Sequence, residues 1–325
     1  MTRLPRLYFV LLRYRVAAMV AMFTLLGAAR ADGLTALSVR HALALLALAS
    51  NYVAATALND LADEAIDRVN HPRNAGRPLV EGTATRGELH VLHVLAGATA
   101  LGAALPLGLR GVAIVVSALL ISIAYSARPL LLSYRTSLAH VVLAVAYVLI
   151  PFGLGAVAAG GSLAVDDAVF AAGLFCLFLA RIVLKDFRDR RGDALYGKPT
   201  LLLRRGKTAT CATSLVALLA GDALVCLSVD PTLAVVLQLF FGAVAWMLRR
   251  LYVAETGRAE QVAIGIGARV GNGLLLTVLG WSALAAHGAT TGDRLAFALL
   301  FTAVFGASYA SLATRPDQVV LGYKG

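Results

Sequence analysis

Asn59-Asp60-Leu61-Ala62-Asp63-Glu64-Ala65-Ile66-Asp67 follows directly on an apolar run, residues 42–58, and this junction decides the fold. With its flanks the run is long enough to cross a bilayer as a helix. Asn59, Asp63 and Asp67 are four apart, so on a continuing helix they stack along one face. Three oxygen-bearing side chains then share a small volume at the end of a membrane helix. Carboxylates there are costly unless something cationic neutralises them. A hard divalent ion, Mg2+ above all, prefers oxygen ligands and bridges carboxylates to phosphates. The arrangement recurs 126 residues further on, where Asp186, Asp189 and Asp193 follow the apolar run 169–184. Two acidic clusters at the ends of two membrane helices suggest a site for a diphosphate held by metal ions.

The whole composition agrees with that reading. Of 325 residues 59% are hydrophobic, against the 45–50% usual for soluble domains, and mean hydropathy is +0.79. The chain is therefore a polytopic, all-α membrane protein, read as one domain over 1–325. Net charge is +11, which in a soluble protein would raise the question of nucleic acid. Here basic loops on one membrane face explain it, and no nucleic-acid partner is expected. Cys176, Cys211 and Cys226 all fall in apolar runs and are read as small hydrophobes. The N-terminal Arg3, Arg6, Arg13 and Arg15 precede an apolar stretch that is expected to be a retained first helix.

Ten spans are predicted, at roughly 14–30, 39–60, 87–108, 111–128, 137–159, 166–187, 209–228, 231–249, 270–288 and 294–313. Most connections are short. Residues 61–86 and 188–208 are the long polar loops, and each begins with an acidic cluster. A cytoplasmic N-terminus puts 23 of the 29 basic residues on the inner side and 4 outside, namely Arg30, Arg40, Arg110 and Arg294. That bias orients the chain, and it places both acidic loops at the cytoplasmic face, where diphosphates and Mg2+ are available. The loops are expected to cap a central cavity within the bundle.

An allylic diphosphate suits such a site. Ionising it releases a highly charged leaving group, which metal ions held by the two clusters would stabilise. An apolar bundle would house the isoprenoid tail and keep water from the carbocation. Arg77, in Asn74-Ala75-Gly76-Arg77-Pro78-Leu79, and Lys198, in Tyr196-Gly197-Lys198-Pro199-Thr200, are placed to clamp phosphate. With these residues in view the sequence resembles the UbiA superfamily of intramembrane prenyltransferases. The family's first signature, Asn-x-x-x-Asp-x-x-x-Asp with a following Arg-Pro-Leu, is similar to Asn59, Asp63, Asp67 and Arg77-Pro78-Leu79. Its second is similar to Asp189 and Asp193, with Gly197-Lys198-Pro199-Thr200 downstream. Either motif alone is a weak match; both, at helix ends four spans apart, are specific. The likeness runs over about residues 5–290, leaving 291–325 as an extra span and tail, since most members have nine spans.

Carried over, the resemblance assigns Asn59, Asp63, Asp67, Asp189 and Asp193 to Mg2+–diphosphate binding, with Asp63, Asp67, Asp189 and Asp193 essential to catalysis. Asp186 is added as a metal ligand and Asp60 as a supplementary member. Asn59, Arg77, Lys198, Lys185 and Tyr125 are the substrate-binding candidates, Tyr125 through the face of its ring. The Arg-Pro usual near the first span is replaced by Arg13-Tyr14-Arg15. The activity implied is Mg2+-dependent transfer of a prenyl group from an allylic diphosphate to a small lipophilic or aromatic acceptor such as a quinone precursor. The enzyme would be an integral protein of a bacterial inner membrane, in contact with membrane lipid.

Other readings are weighed beside these. Arg181 and Lys185 share a helical face with Asp189 and Asp193, which predicts intrahelical ion pairs; Lys185 also has diphosphate in reach. His71 lacks partners for a metal site of its own. Arg269 and Asn272, entering the ninth span, are candidates for the cavity mouth. A terpene cyclase would use the same ionisation without an acceptor, but aromatic content of 7% disfavours a contoured aromatic pocket. A transporter would carry its ionisable groups near the midplane, and here they sit at helix ends.

Overall fold

The structure is a computed structural model, and it describes residues 3–32, 34–71, 76–255 and 257–314. Among the described residues every regular element is helical. Helix α1 (Arg3–Leu12) is amphipathic: Leu7 and Leu11 are buried, while Phe9 is exposed. Then follow α2 (Tyr14–Asp32), α3 (Val39–Ala62), α4 (Glu64–Asn70), α5 (Arg86–Ala104) and α6 (Gly108–Ser126). Helices α7 (Thr136–Ala144) and α8 (Ile150–Ala159) are joined by a π-helical turn, Val145–Leu149. The chain continues with α9 (Val165–Ile182), α10 (Lys185–Leu195), α11 (Leu201–Leu227), α12 (Pro231–Val253), α13 (Gly257–Ala286) and α14 (Thr291–Thr314).

Seven helical stretches are long and apolar enough to cross a membrane, or eight if the bent pair α9–α10 is one span. The protein is an integral membrane protein. One stretch, Arg86–Ser126, has 41 residues, about 60 Å of helix and so twice the hydrocarbon thickness. It turns at Leu105–Leu107, with Gly108 at φ 80°, and both halves pack on α3. Large apolar side chains such as Val94, Leu120, Val235 and Leu300 point outward, as expected where lipid is the solvent.

Small residues set the closest approaches. A Cβ on Gly27 would overlap the carbonyl of Phe152, and one on Gly155 the carbonyl of Thr24, so α2 and α8 touch backbone to backbone. Gly173 against Val225 and Gly221 against Leu177 do the same for α9 and α11. This is the small-residue packing of membrane helices. At the end away from the acidic clusters, Arg40 donates to the carbonyls of Val157 and Ala158 (both 3.1 Å), and Arg30 pairs with Asp167 at 2.9 Å.

Three expectations need correction. The helix through 59–67 is not continuous: α3 stops at Ala62, Asp63 takes φ −98° and ψ 11°, and α4 restarts at Glu64. The sixth span does not run straight to 187, because α9 ends at Ile182 and α10 leaves it at 51°. Finally, the two polar loops are not irregular. They contain α4, α10 and the first turn of α11, where Gly206 at φ 77° kinks the chain into the seventh apolar run. Residues 72–75 and 315–325, which hold Arg73, Asn74, Ala75, Arg315 and Lys324, lie outside the described residues.

Candidate active site

The first cluster is built where α1, α3 and α4 meet. Asp60, 2% exposed, accepts from Arg13 Nη2 at 3.0 Å (Oδ1) and 3.3 Å (Oδ2), and its Oδ1 also pairs with Arg77. Arg77 reaches on to Asp67 Oδ2 at 3.0 Å. Arg13 sits at φ 44° between α1 and α2, a left-handed conformation that is costly for a residue with a side chain. The ion pair with Asp60 fixes it there, so the replaced Arg-Pro position has a structural job. Asp63 turns the other way and accepts from Lys198 Nζ at 3.0 Å.

The second cluster lies on α10, which packs directly on α4. The amide of Gly192 donates to Asn70 Oδ1 at 2.6 Å, and a Cβ on Gly192 would sit 2.7 Å from the carbonyl oxygen of Ile66. Only glycine allows that approach. It brings His71 Nε2 to 3.4 Å from Asp189 Oδ1, whose other neighbour is Arg188 at 2.9 Å. Lys198 closes the ring from the chain beyond: its amide donates to the carbonyl of Asp193 (2.8 Å), and Gly197 takes φ 65° to make the turn.

Asp186 stands apart. It is 1% exposed and accepts from His140 Nε2 (3.0 Å) and from the amides of Leu201 (3.1 Å) and Leu202 (3.4 Å). Its Oδ1 thus meets His140 on α7 and its Oδ2 the first amides of α11, so Asp186 helps to dock the start of α11. On α10, Lys185 takes a contact other than the intrahelical ion pair expected of it. The bend carries Lys185 to the hydroxyl of Tyr125 (3.2 Å), and Arg181 reaches Asn272 Oδ1 (3.2 Å).

These groups open on a cavity of about 720 Å³. Asn59, Asp63, Asp67, Arg77, Tyr125, Lys185, Asp186, Asp189, Asp193 and Lys198 all line it. Asp60 does not. Sequence reasoning missed Asn70, which lies three residues past Asp67 on the same stripe and lines the cavity too. It also missed Tyr52 and Tyr147, whose rings meet at 5.9 Å, with Phe178 stacked on Tyr147 at 5.6 Å. Arg269 and Asn272 line the cavity as expected.

Charge in the mouth is unbalanced. Burial raises Asp67 to about 7; Arg77 pulls it down, but Asp60, Asp63 and Asp189 push it up. Burial likewise raises Asp193 to about 7, with Lys198 opposing and Asp189 adding to the rise. Asp189 goes the other way: burial pushes it up, yet Arg188 and His71 hold it well below the usual range. For Lys198 burial lowers the value, and Asp63, Tyr125 and Asp193 outweigh it and raise it. Among the described residues no three His, Cys, Asp or Glu side chains are gathered closely enough to hold an ion by themselves. The donor set nonetheless fits a hard cation: it is oxygen only, and its carboxylates repel one another across both motifs. A diphosphate would supply the oxygens the protein does not.

A family model, the UbiA prenyltransferase family, matches residues 20–269. No curated protein matches the chain. Among solved structures, one from work on digeranylgeranylglyceryl phosphate synthase in membranes is 16% identical with a TM-score of 0.66, covering 86% of this chain and 99% of that one. A UbiA homologue from Archaeoglobus fulgidus bound to DMAPP and Mg2+ is 16% identical with a TM-score of 0.58, covering 94% and 99%. A UbiA homologue from Aeropyrum pernix K1 is 21% identical with a TM-score of 0.54, covering 90% and 95%. At these identities the likeness shows the fold, and the sequence match shows the family. The motif-bearing helices, the shared cavity and the match over 20–269 together place this chain in the UbiA prenyltransferase family.

Proposed function

We propose that this protein transfers a prenyl group from an allylic diphosphate to a small aromatic or lipophilic acceptor, in a Mg2+-dependent reaction. The observation that carries the reading is the junction of α4 and α10, which sets two acidic clusters around one mouth above an apolar cavity. The A. fulgidus homologue, bound to DMAPP and Mg2+, supports it. Asn59, Asp63, Asp67, Asp189 and Asp193 would hold the metal, while Asp60 and Asp186 keep the surrounding helices in place. When bound, Mg2+ supplies Lewis-acid stabilisation of the departing diphosphate. Arg77, Lys185 and Lys198 line the mouth and would bind phosphate oxygens, while Asp67 and Asp63, which pair with Arg77 and Lys198, would hold the metal. The prenyl tail lies along Val20, Leu48, Ile121 and Leu143, where water is excluded. The ring faces of Tyr52, Tyr125 and Tyr147 favour the developing cation.

The topology we favour has nine or ten spans. The turn at Gly108 divides the 41-residue stretch into two, and α14 is the added last span. The mouth then opens to the cytoplasm of a bacterial inner membrane. A cyclase reading draws on the Tyr52–Tyr147–Phe178 wall, which is more aromatic than the composition suggests. One assay separates the two. The purified protein is incubated with Mg2+ and allylic diphosphates of several lengths, with and without phenolic or quinoid acceptors. Release of diphosphate only with acceptor supports the transferase, and acceptor-free release supports the cyclase. Asp63→Ala and Asp189→Ala should each abolish turnover; full activity in either refutes the shared metal site.

A further inference from the structure

Helix α1 contributes to the site only by leading into Arg13. It has ten residues, about 15 Å of helix and half of what a span needs. Both its ends lie at the acidic end of the bundle. Arg3 is in the field of Glu88, in the first turn of α5, and Arg13, one residue past the helix, meets Asp60 near the end of α3. Between them Leu7 and Leu11 are buried with Val53, Ala57, Leu89 and Leu92, over the seam of α3 and α5. The Tyr8 hydroxyl shares a 2.9 Å hydrogen bond with Ser50 Oγ. Helix α1 therefore lies across the ends of two spans, at the level of the lipid headgroups.

Its free face has a distinct chemistry. Arg3, Arg6 and Phe9 recur at three-residue steps and are all exposed, Phe9 by 71%. Among the described residues neither arginine forms an ion pair. Glu88 is engaged instead in capping α5, where its Oε2 accepts from the amide (2.8 Å) and the hydroxyl (3.0 Å) of Thr85. A helix with an apolar ring and guanidinium groups on one face suits the boundary between headgroups and acyl chains. The guanidinium fork matches phosphate oxygens. A zwitterionic headgroup brings its own cation to that phosphate, whereas an anionic one leaves the charge for the arginines.

We infer that the free face of α1 binds anionic phospholipid headgroups of the leaflet it lies in, and that this contact keeps Arg13 docked on Asp60. Arg13 stands at φ 44°, a conformation that a residue with a side chain holds only at a cost. Lipid drawn to Arg3 and Arg6 presses Leu7 and Leu11 into their seam and so supports that turn. The composition of the membrane thereby reaches the first acidic cluster without a ligand in the cavity.

The test uses the full-length protein in neutral detergent, titrated with a short-chain phosphatidylglycerol or the matching phosphatidylcholine. Phosphatidylglycerol is expected to bind more tightly. Arg3→Gln combined with Arg6→Gln should weaken its binding about 25-fold, about fivefold for each charge near an anionic surface, and leave phosphatidylcholine binding the same. Arg249→Gln combined with Arg250→Gln, exposed at the same end of the bundle on α12, should change neither. Equal affinity for the two lipids overturns the inference. So does an equal loss in both double variants, the mark of a diffuse basic surface. An allylic diphosphate analogue with Mg2+ should leave the lipid in place; displacement would put the lipid in the cavity and overturn the inference as well. Docking is read by trypsin in bilayer discs. Cleavage after Arg13 should be slower with phosphatidylglycerol present than in phosphatidylcholine alone, and the Arg3–Arg6 double variant should lose that difference. Equal cleavage of the parent protein in the two discs refutes the link to Arg13.

Discussion

Gly192→Ala tests whether the two acidic clusters must be held in register. A Cβ at this position would stand 2.7 Å from the Ile66 carbonyl oxygen, 2.7 Å from Asn70 Nδ2 and 2.8 Å from Asn70 Cγ. Ordinary contact begins at 3.4 Å, so α4 and α10 must part by about 0.7 Å along that line, the difference of the two. Asn70 can swing aside, but Ile66 offers backbone, and the 2.6 Å bond from Gly192 to Asn70 Oδ1 is lost if it does. The strain should cost about 1–3 kcal/mol of stability, as overpacking generally does. The larger effect falls on chemistry. Asp67 and His71 move away from Asp189, and a misplacement on the order of 1 Å can reduce rate about 100-fold, so a loss of roughly 10- to 100-fold is expected here. The assay is Mg2+-dependent diphosphate release with saturating acceptor, alongside thermal unfolding in detergent. Parent-like turnover in a protein that also unfolds at the parent temperature would refute the idea that this contact sets the mouth.

Further expectations concern the surrounding groups. Asp67 and Asp193 stand at about 7, so Mg2+-dependent binding of an allylic diphosphate analogue should weaken as pH falls through 7, because the ion needs the charged forms. A carboxylate raised above its unfolded value stabilises the fold below that unfolded value and loses the contribution as pH rises through the folded one. The chelator-treated protein should therefore melt lower at pH 8 than at pH 6, with Mg2+ restoring more at pH 8; a chelated melting point that does not change with pH would contradict this. Asp186→Ala should cost about 2–4 kcal/mol by leaving His140 and the amides of Leu201 and Leu202 without their acceptor. The Mg2+ concentration for half-maximal activity should stay the same, and a large rise would restore Asp186 to the metal set. Phe305, on α14, lines the cavity over Gly273; Phe305→Ala should admit longer donors in a competition assay at a stability cost below the about 3–5 kcal/mol of a fully buried phenylalanine. Unchanged selectivity would show that α14 does not shape the cavity.

Much of the site could be read from the sequence because it rests on local spacing. Asn59, Asp63 and Asp67 follow an apolar run at four-residue steps, and the stripe survives the break at Asp63 because the Asp63 and Asp67 amides still donate to the carbonyls four residues back. The bend after Ile182 could not be read. Ile182-Val183-Leu184-Lys185 contains neither proline nor glycine, and the turn is accompanied by capture of Asp186 by His140, 46 residues away, and by the first amides of α11. Asp186 has helical spacing from Asp189 and Asp193, and that spacing gives no sign of its bonds to His140 and to the first amides of α11. Arg13 and Asp60 are 47 residues apart, and nothing local signals that they pair. The aromatic wall was hidden for the opposite reason. A low overall aromatic content says nothing about where the few rings collect, and Tyr52, Tyr147 and Phe178 come from three separate helices.

The angle between α9 and α10, and the matching interruption between α3 and α4, uncouple the reactive end from the bilayer. The carboxylate-bearing segments are short rods resting on each other, tied by Asn70 to Gly192 and by His71 to Asp189. Their separation is thus set by one local joint, whatever the tilt or length of the pillars beneath. Substitutions that widen, narrow or lengthen the greasy chamber below can accumulate without moving the ionising machinery. A lineage built on this plan can change what it alkylates while keeping how it does so.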